Sequence, residues 1–340
     1  MYLCITIAKY DTMTTDNKRT KILITGASGF IGSFLCETAI NKGYETWAAM
    51  RTRSSKKWLK SPELNFITLD LSDKSILREQ LDGIHFDIII HAAGATKCLN
   101  EEDFEKHNFI CTKNLIEVLE EIHALPKQFI YMSSLSAIYG SSYGNSKLKA
   151  EDWLTKKYSS LDCFKESKNG FVIFRPTGVY GPREKDYYIM AKSIKNHIDF
   201  SVGYEPQKLT FVYVQDLVNA VYAAIDKNII NGIIINVTDG QVYSSRDFCE
   251  LIQKELGIKH VLHITAPLWF LKIVAYTSEG ISKLTGKAST LNKDKYKIMS
   301  QRDWTCDITP LREILEYEPQ WQLPKGVKET IKWYKKENWL

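Results

Sequence analysis

Thr25-Gly26-Ala27-Ser28-Gly29-Phe30-Ile31-Gly32 stands between the apolar run 21–25 (KILIT) and a stretch with helical spacing, 30–41. This junction decides the fold. Glycines at T-G-x-x-G-x-x-G spacing, after a strand and opening a helix, divide three tasks. Gly26 allows the tight turn, Gly29 lets the backbone approach a ligand closely, and Gly32 lets helix pack on strand. The free N–H groups of the helix start, around Ser28, Phe30 and Ile31, then face an anion. A pyrophosphate suits that cradle, so the turn points to a dinucleotide.

Outward from this turn, apolar runs alternate with amphipathic stretches. The runs are 44–50, 64–69, 86–91 (FDIIIH), 128–133 (QFIYMS) and 170–174 (GFVIF). Continuous apolar strands separated by helices imply parallel strands buried on both faces. The expected fold class is α/β: a Rossmann-type doubly wound parallel sheet with a smaller C-terminal substrate-binding lobe. Ligands bind beyond the carboxyl ends of the strands in such sheets. The organisation reads as an N-terminal extension (1–20), a dinucleotide-binding domain (21–180, with 208–240 returning to it), a lobe from 181–207 and 241–316, and a C-terminal helical segment (317–340). Within the lobe, 190–197, 244–256 and 267–284 read as helices, 210–224 and 232–237 as returns to the sheet. The last helix is expected at 326–337.

Composition fits a globular protein of this size: 340 residues, 44% hydrophobic and 25% charged. The net charge of +5 is spread among 40 acids, and no nucleic-acid recognition motif accompanies it. Nucleic acid is not an expected partner. Seven cysteines without C-x-x-C spacing suggest neither a metal site nor a disulfide framework, and so reduced thiols in a cytoplasmic protein. Residues 1–20 lack the basic start and apolar core of a signal peptide. The apolar stretch 261–275 is too short and too interrupted by His263, Pro267 and Lys272 to span a bilayer. It reads as a buried helix, with a helix lying in a membrane interface as the alternative. Trp269 and Phe270 read as core, with the lining of an apolar pocket as their alternative.

Two further groups carry chemistry. The second strand ends in Met50-Arg51-Thr52-Arg53-Ser54, without the carboxylate that holds the adenosine ribose of NAD. A guanidinium there matches a 2′-phosphate, which favours NADP over NAD; the alternative is solvated loop charge. Tyr143 and Lys147 in Tyr143-Gly144-Asn145-Ser146-Lys147 share one helical face. A nearby ammonium favours phenolate, so Tyr143 is expected to move the proton that accompanies hydride transfer. Ser133-Ser134 closes the fifth strand, where a hydroxyl could polarise a carbonyl or cap the strand end.

Together these residues resemble the extended short-chain dehydrogenase/reductase family, which includes nucleotide-sugar epimerases, dihydroflavonol reductases and 3β-hydroxysteroid dehydrogenases. The likeness runs from Lys21 onward. Asp70-Leu71 resembles the family's adenine-contacting pair, and His91-Ala92-Ala93-Gly94 its cofactor-lining turn. Asn108, Thr112 and Asn114 match the N-x-x-x-T-x-N helix. Arg175-Pro176-Thr177-Gly178-Val179-Tyr180-Gly181-Pro182 matches the segment beside the nicotinamide, with Arg175, Pro176 and Val179 as its cofactor neighbours. Phe211-Val212-Tyr213-Val214-Gln215-Asp216 resembles a later V-x-V-x-D element. The resemblance implies Tyr143 as general acid/base, Lys147 as the group that tunes it and holds the nicotinamide ribose, Ser134 as the orienter of the substrate oxygen, and Asn108 as support for the active-site helix. It also implies a homodimer through the helices around Asn108 and Tyr143.

Two departures bear on the substrate. Only eight residues separate Ser134 from Tyr143, where relatives carry a longer loop that walls the substrate. An open site for a bulky molecule, or weakened activity, follows. Gly178 and the Gln207-Lys208-Leu209-Thr210 stretch replace the asparagine and arginine that typically hold a diphosphate. The expected function is therefore an NADP(H)-dependent reductase or dehydrogenase of an apolar carbonyl/alcohol pair. The alternatives are a nucleotide-sugar epimerase or dehydratase with tightly bound NAD, for which Lys192, Lys195 and Lys208 could meet a diphosphate, and a non-catalytic nucleotide-binding protein.

Overall fold

The computed structural model describes residues 19–160, 170–285 and 293–340. The expected extension at 1–20 lies almost wholly outside these residues.

Seven strands form one parallel sheet: β1 (Lys21–Thr25), β2 (Glu45–Met50), β3 (Asn65–Thr68), β4 (Ile88–His91), β5 (Gln128–Met132), β6 (Gly170–Pro176) and β10 (Asn231–Val237). Their spatial order is β10-β6-β5-β4-β1-β2-β3, every pair parallel. The chain walks outward from β1 to β3, then crosses back to β4 and walks the other way. The two directions part between β1 and β4, where Thr25 lies level with His91. A crevice opens at such a switch point.

Alternation at period two explains why both faces are dry. Ile22, Ile24, Ile88, Ile90, Ile130 and Met132 enter one core, with helices Phe30–Asn41 and Val214–Asp226. Leu23, Ile89, Phe129 and Tyr131 point the opposite way, under helices Lys74–Leu81, Cys111–Glu121 and Ser142–Ser160. A third, aromatic core around Tyr180, Phe211, Phe248 and Tyr334 joins helices Asp186–Lys195, Asp247–Leu256 and Leu323–Lys336.

Several expectations change in the second half. Of 210–224, only β9 (Phe211–Tyr213) is strand, paired with β7 (Gly178–Tyr180); Val214–Asp226 is helix, buried on nearly every side by small and β-branched residues. The helix expected at 190–197 starts at Asp186, because the Glu184 carboxylate accepts the Asp186 and Tyr187 N–H groups. The stretch 261–275 is not one buried helix. Its first part is β11 (Leu262–Ala266), paired with β8 (Ile198–Val202), and the helix Leu268–Thr285 follows. Trp269 and Phe270 are exposed rather than core, and neither lines the cleft beside Tyr143. The five described cysteines, Cys36, Cys98, Cys111, Cys249 and Cys306, are free thiols.

Candidate active site

The glycine turn is built as its spacing demands. Gly26 has φ +67°, and a Cβ there would lie 2.7 Å from the Ala92 carbonyl oxygen. A Cβ on Gly32 would lie 2.2 Å from the Gly26 oxygen, so strand and helix meet only without side chains. The helix Phe30–Asn41 starts at Gly29 with no side-chain cap and no acid in its first turn. Its N–H groups, beside Ser28, Phe30 and Ile31, are left for an anion. The cradle fits a dinucleotide pyrophosphate.

His91, Ala92 and Ala93 follow β4 against this turn. The His91 imidazole is fully buried between Thr25 Oγ1 (2.8 Å) and Thr112 Oγ1 (3.0 Å). Thr112 donates its own proton to the Asn108 carbonyl, so it accepts from His91 Nε2–H. Thr25 therefore donates to Nδ1 and accepts from the Ala93 N–H. Burial, and then Lys147, push the imidazole pKa down to about 3, in keeping with a neutral ring that accepts at one nitrogen. His91 thus fixes the turn.

The N-x-x-x-T-x-N residues are brackets between loops. Asn108 lies in a π-helical turn, Glu105–Ile110, and is fully buried. Its Oδ1 accepts from the Ala95 N–H, and its amide donates to the Ala95 oxygen and to Ser146 Oγ. Ser146 in turn donates to the Tyr143 carbonyl. Asn114 holds the Leu71 oxygen, after β3, at 3.0 Å. Asp70 turns back on the Ser72 N–H and hydroxyl.

Ser134, Tyr143 and Lys147 meet beyond β5. Ser134 accepts from the Ser136 N–H at the start of a short 3₁₀ turn, Leu135–Ile138. The helix Ser142–Ser160 lies directly on that turn: a Cβ on Gly144 would be 2.0 Å from the Ser136 oxygen. Gly144 is how an eight-residue link delivers Tyr143 to Ser134. Asp294, from the distant helix Lys293–Ser300, accepts the Ser142 and Tyr143 N–H groups and so caps the helix start. Burial raises the phenol pKa; a hydrogen bond with Ser134 opposes that, and Asp294 adds to it. The expected lowering of this pKa by Lys147 is not what the geometry gives. Lys147 is buried, donates to the Met132 carbonyl at 2.8 Å, and lies over the Tyr131 ring. Desolvation brings its pKa down to about 8 against the opposing pull of Glu151.

Glu151, which sequence reasoning missed, is nearly inaccessible and accepts from Ser133 Oγ and the Arg175 guanidinium. The signal was available: Glu151 follows Lys147 by four residues on the same helical face. Ser133 therefore serves this cluster rather than a substrate oxygen, and Arg175 reaches across from β6 to hold it. At the far end of the crevice, Arg51 is exposed beyond β2 and acts electrostatically, with Asp70, on the Cys111 thiol.

Ser134, Tyr143, Pro176 and Val179 line a cleft of about 610 Å³. Phe104, Tyr187, Phe200, Phe248, Met299 and Trp304 give it an apolar interior. Its two lysines, Lys97 and Lys295, both pair with Asp186, and no arginine is among its lining residues. Lys192, Lys195 and Lys208 lie outside it, exposed. Tyr139 packs on Trp304 (ring centroids 4.6 Å apart), tying the short link to the far wall.

Residues 22–238, well over half the chain, match the sequence pattern of the NAD dependent epimerase/dehydratase family. The chain belongs to that family. Among curated members, the UDP-N-acetyl-alpha-D-glucosaminuronate decarboxylase of Bacillus cytotoxicus is 24% identical over 343 aligned residues, covering 93% of this chain and 98% of that one. The decarboxylating sterol-4-alpha-carboxylate 3-dehydrogenase of Candida albicans is 23% identical, covering 92% and 97%. The UDP-glucuronic acid 4-epimerase of Bacillus cereus, solved with UDP-glucuronic acid and NAD, superposes with a TM-score of 0.71 at 22% identity, covering 94% of this chain and 100% of that one. This epimerase/dehydratase member is accordingly an enzyme of a NAD-dependent family with a Rossmann fold. No described helix is long and apolar enough to cross a membrane.

Proposed function

We propose that this enzyme is an NADP(H)-dependent reductase or dehydrogenase acting on the carbonyl/alcohol pair of a bulky, apolar molecule. The observation that carries the reading is the cleft: Ser134 and Tyr143 stand at its wall, its interior is apolar, and its cations are already paired. A diphosphate-bearing sugar would find few free cations there. On this reading Gly26, Gly29 and Gly32 receive the pyrophosphate, and Arg51 takes the 2′-phosphate. Lys147 and Tyr143 hold the nicotinamide ribose, and the residues up to 180 with 208–240 form the cofactor half. The bound nicotinamide supplies or accepts the hydride. Ser134 orients the substrate oxygen and Tyr143 gives or takes its proton. The phenol, held protonated by burial, is poised to donate, which favours reduction. Lys147, titrating near neutrality, can restore that proton. We place the enzyme in the cytoplasm, as a homodimer through the helices around Asn108 and Tyr143. The Candida relative, whose name records a sterol substrate, gives the apolar class some support.

A paired titration with NADPH and NADH tests the cofactor, and Tyr143→Phe tests the chemistry. Arg51→Ala should weaken NADPH by about 1.5–3 kcal/mol and NADH far less. Tyr143→Phe should abolish turnover of apolar carbonyls while cofactor affinity, still held by the glycine turn, Arg51 and Lys147, stays largely intact. Retained NAD, indifference to NADPH and turnover of a nucleotide sugar would replace this reading with the epimerase one.

A further inference from the structure

We propose that the exposed face of the helix Leu268–Thr285, together with the outer face of the β8–β11 ribbon, docks on an anionic lipid bilayer. The helix is held to the protein by Leu271 and Ala275, both buried. Its opposite face is turned outward and is apolar: Trp269, Ile273 and Tyr276 follow one another at i, i+4 and i+7, with Phe270 beside them. All four are large and about half exposed or more, from 49% for Phe270 and Tyr276 to 65% for Trp269. Solvent faces of helices carry polar residues, so this one is inverted.

The ribbon extends the same character. Ile264 lies level with Phe200, and Leu262 is two residues away on the same face. All three are exposed, while their neighbours His263 and Asp199 lie on the other face and pair at 2.9 Å, with Asp199 buried. Proteins that stay in water rarely leave so many large apolar side chains uncovered together.

Charge decides what covers them. Residues 259–302 contain eight Lys and Arg against two Asp and Glu, a net charge of +6. The whole chain carries +5, so the remainder is close to neutral and the positive charge that reads as scattered is in fact concentrated here. Lys272 and Lys293 flank the Tyr276 ring, at 6.0 and 4.7 Å from its centroid. Aromatic side chains rimmed by lysine suit the boundary between headgroups and acyl chains, with basic residues drawn to anionic lipid. A second copy of the chain is the poorer occupant. A two-fold contact places a patch against itself, here lysine against lysine. Docking is by the face alone, since the helix does not cross a membrane. Phe200 also lines the cleft, so a docked bilayer lies at its mouth.

The test is sedimentation of the full chain with vesicles of phosphatidylcholine alone and of phosphatidylcholine with phosphatidylserine. The chain should pellet with the phosphatidylserine vesicles and be released by high salt. The triple variant W269S/F270S/I273S should bind them at least about tenfold more weakly. Cofactor titration of that variant checks its fold, and should be unchanged. K272E, which keeps every apolar side chain of the face, should weaken binding at low salt. Failure of the full chain to bind either vesicle would overturn the proposal, as would equal binding by the triple variant. A concentration-dependent dimer that the triple variant breaks would assign the face to a second copy instead. None of these outcomes depends on which substrate the cleft takes.

Discussion

Lys147 is a buried ammonium that donates to the Met132 carbonyl, and burial gives it a titration near neutrality. An unfolded lysine titrates near 10.5, the buried one at about 8. Between these values the unfolded chain binds more protons, so this residue makes stability rise with pH across that window. His91 has the same sign at lower pH. Its pKa falls from 6.5 to about 3 on folding, so its contribution is complete above 6.5 and is lost as pH drops toward 3. Thermal unfolding followed across both windows should show these two slopes, and His91→Asn should flatten only the acidic one. In the pH–rate profile, reduction should hold level up to about 8 and fall beyond it, as Lys147 loses the proton it relays. The glycine turn and the shared helical face of Tyr143 and Lys147 were legible because their placement is written in local spacing. Asp294 was not: it caps the Tyr143 helix from about 150 positions away, and no periodicity records such a contact.

At the level of elements, the Tyr143 helix is seated by backbone contact. Its glycine rests on the 3₁₀ turn, and Ser141 accepts the Gly144 N–H at 2.9 Å. Gly144→Ala forces helix and turn apart, and the phenol moves with them. Turnover should fall by about 100-fold, as a displacement near 1 Å commonly costs, with cofactor affinity nearly unchanged. Steady-state kinetics beside a cofactor titration checks this. The π-helical turn around Asn108 is a second seat, since its side chain reaches both Ala95 and Ser146. Sequence reading found the buried parallel strands because their apolar runs are continuous. It missed β8 and β11, whose short runs adjoin helices and whose outer residues face solvent. An apolar run alone does not say which side is dry.

Over the whole molecule, the two halves are interleaved. β10, from late in the chain, completes the sheet beside β6, with Ile173 level with Ile234. Asp216 is wholly buried and gathers the Tyr317 hydroxyl and the Gln320 and Trp321 N–H groups, binding the C-terminal segment to the helix Val214–Asp226. Arg183 pairs with Glu37 and donates to Ser33, fastening the chain after β7 to the helix behind the glycine turn. A fragment ending at residue 180 leaves β6 as a bare edge and should aggregate, whereas the full chain remains soluble; light scattering of the two separates the outcomes. Parallel order and the switch point could be foreseen from the alternation of runs, but not this late strand's place beside β6.

The position of β10 also has a meaning on the ribosome. Six of the seven strands of the sheet are spelled by residue 176, yet the sheet cannot close until residue 237 has left the exit tunnel. During that interval the nascent chain carries Phe171 and Ile173 on an open strand, the kind of exposure that chaperones exist to shield. Slower synthesis while 181–237 emerges from the tunnel should therefore lower the yield of folded chain.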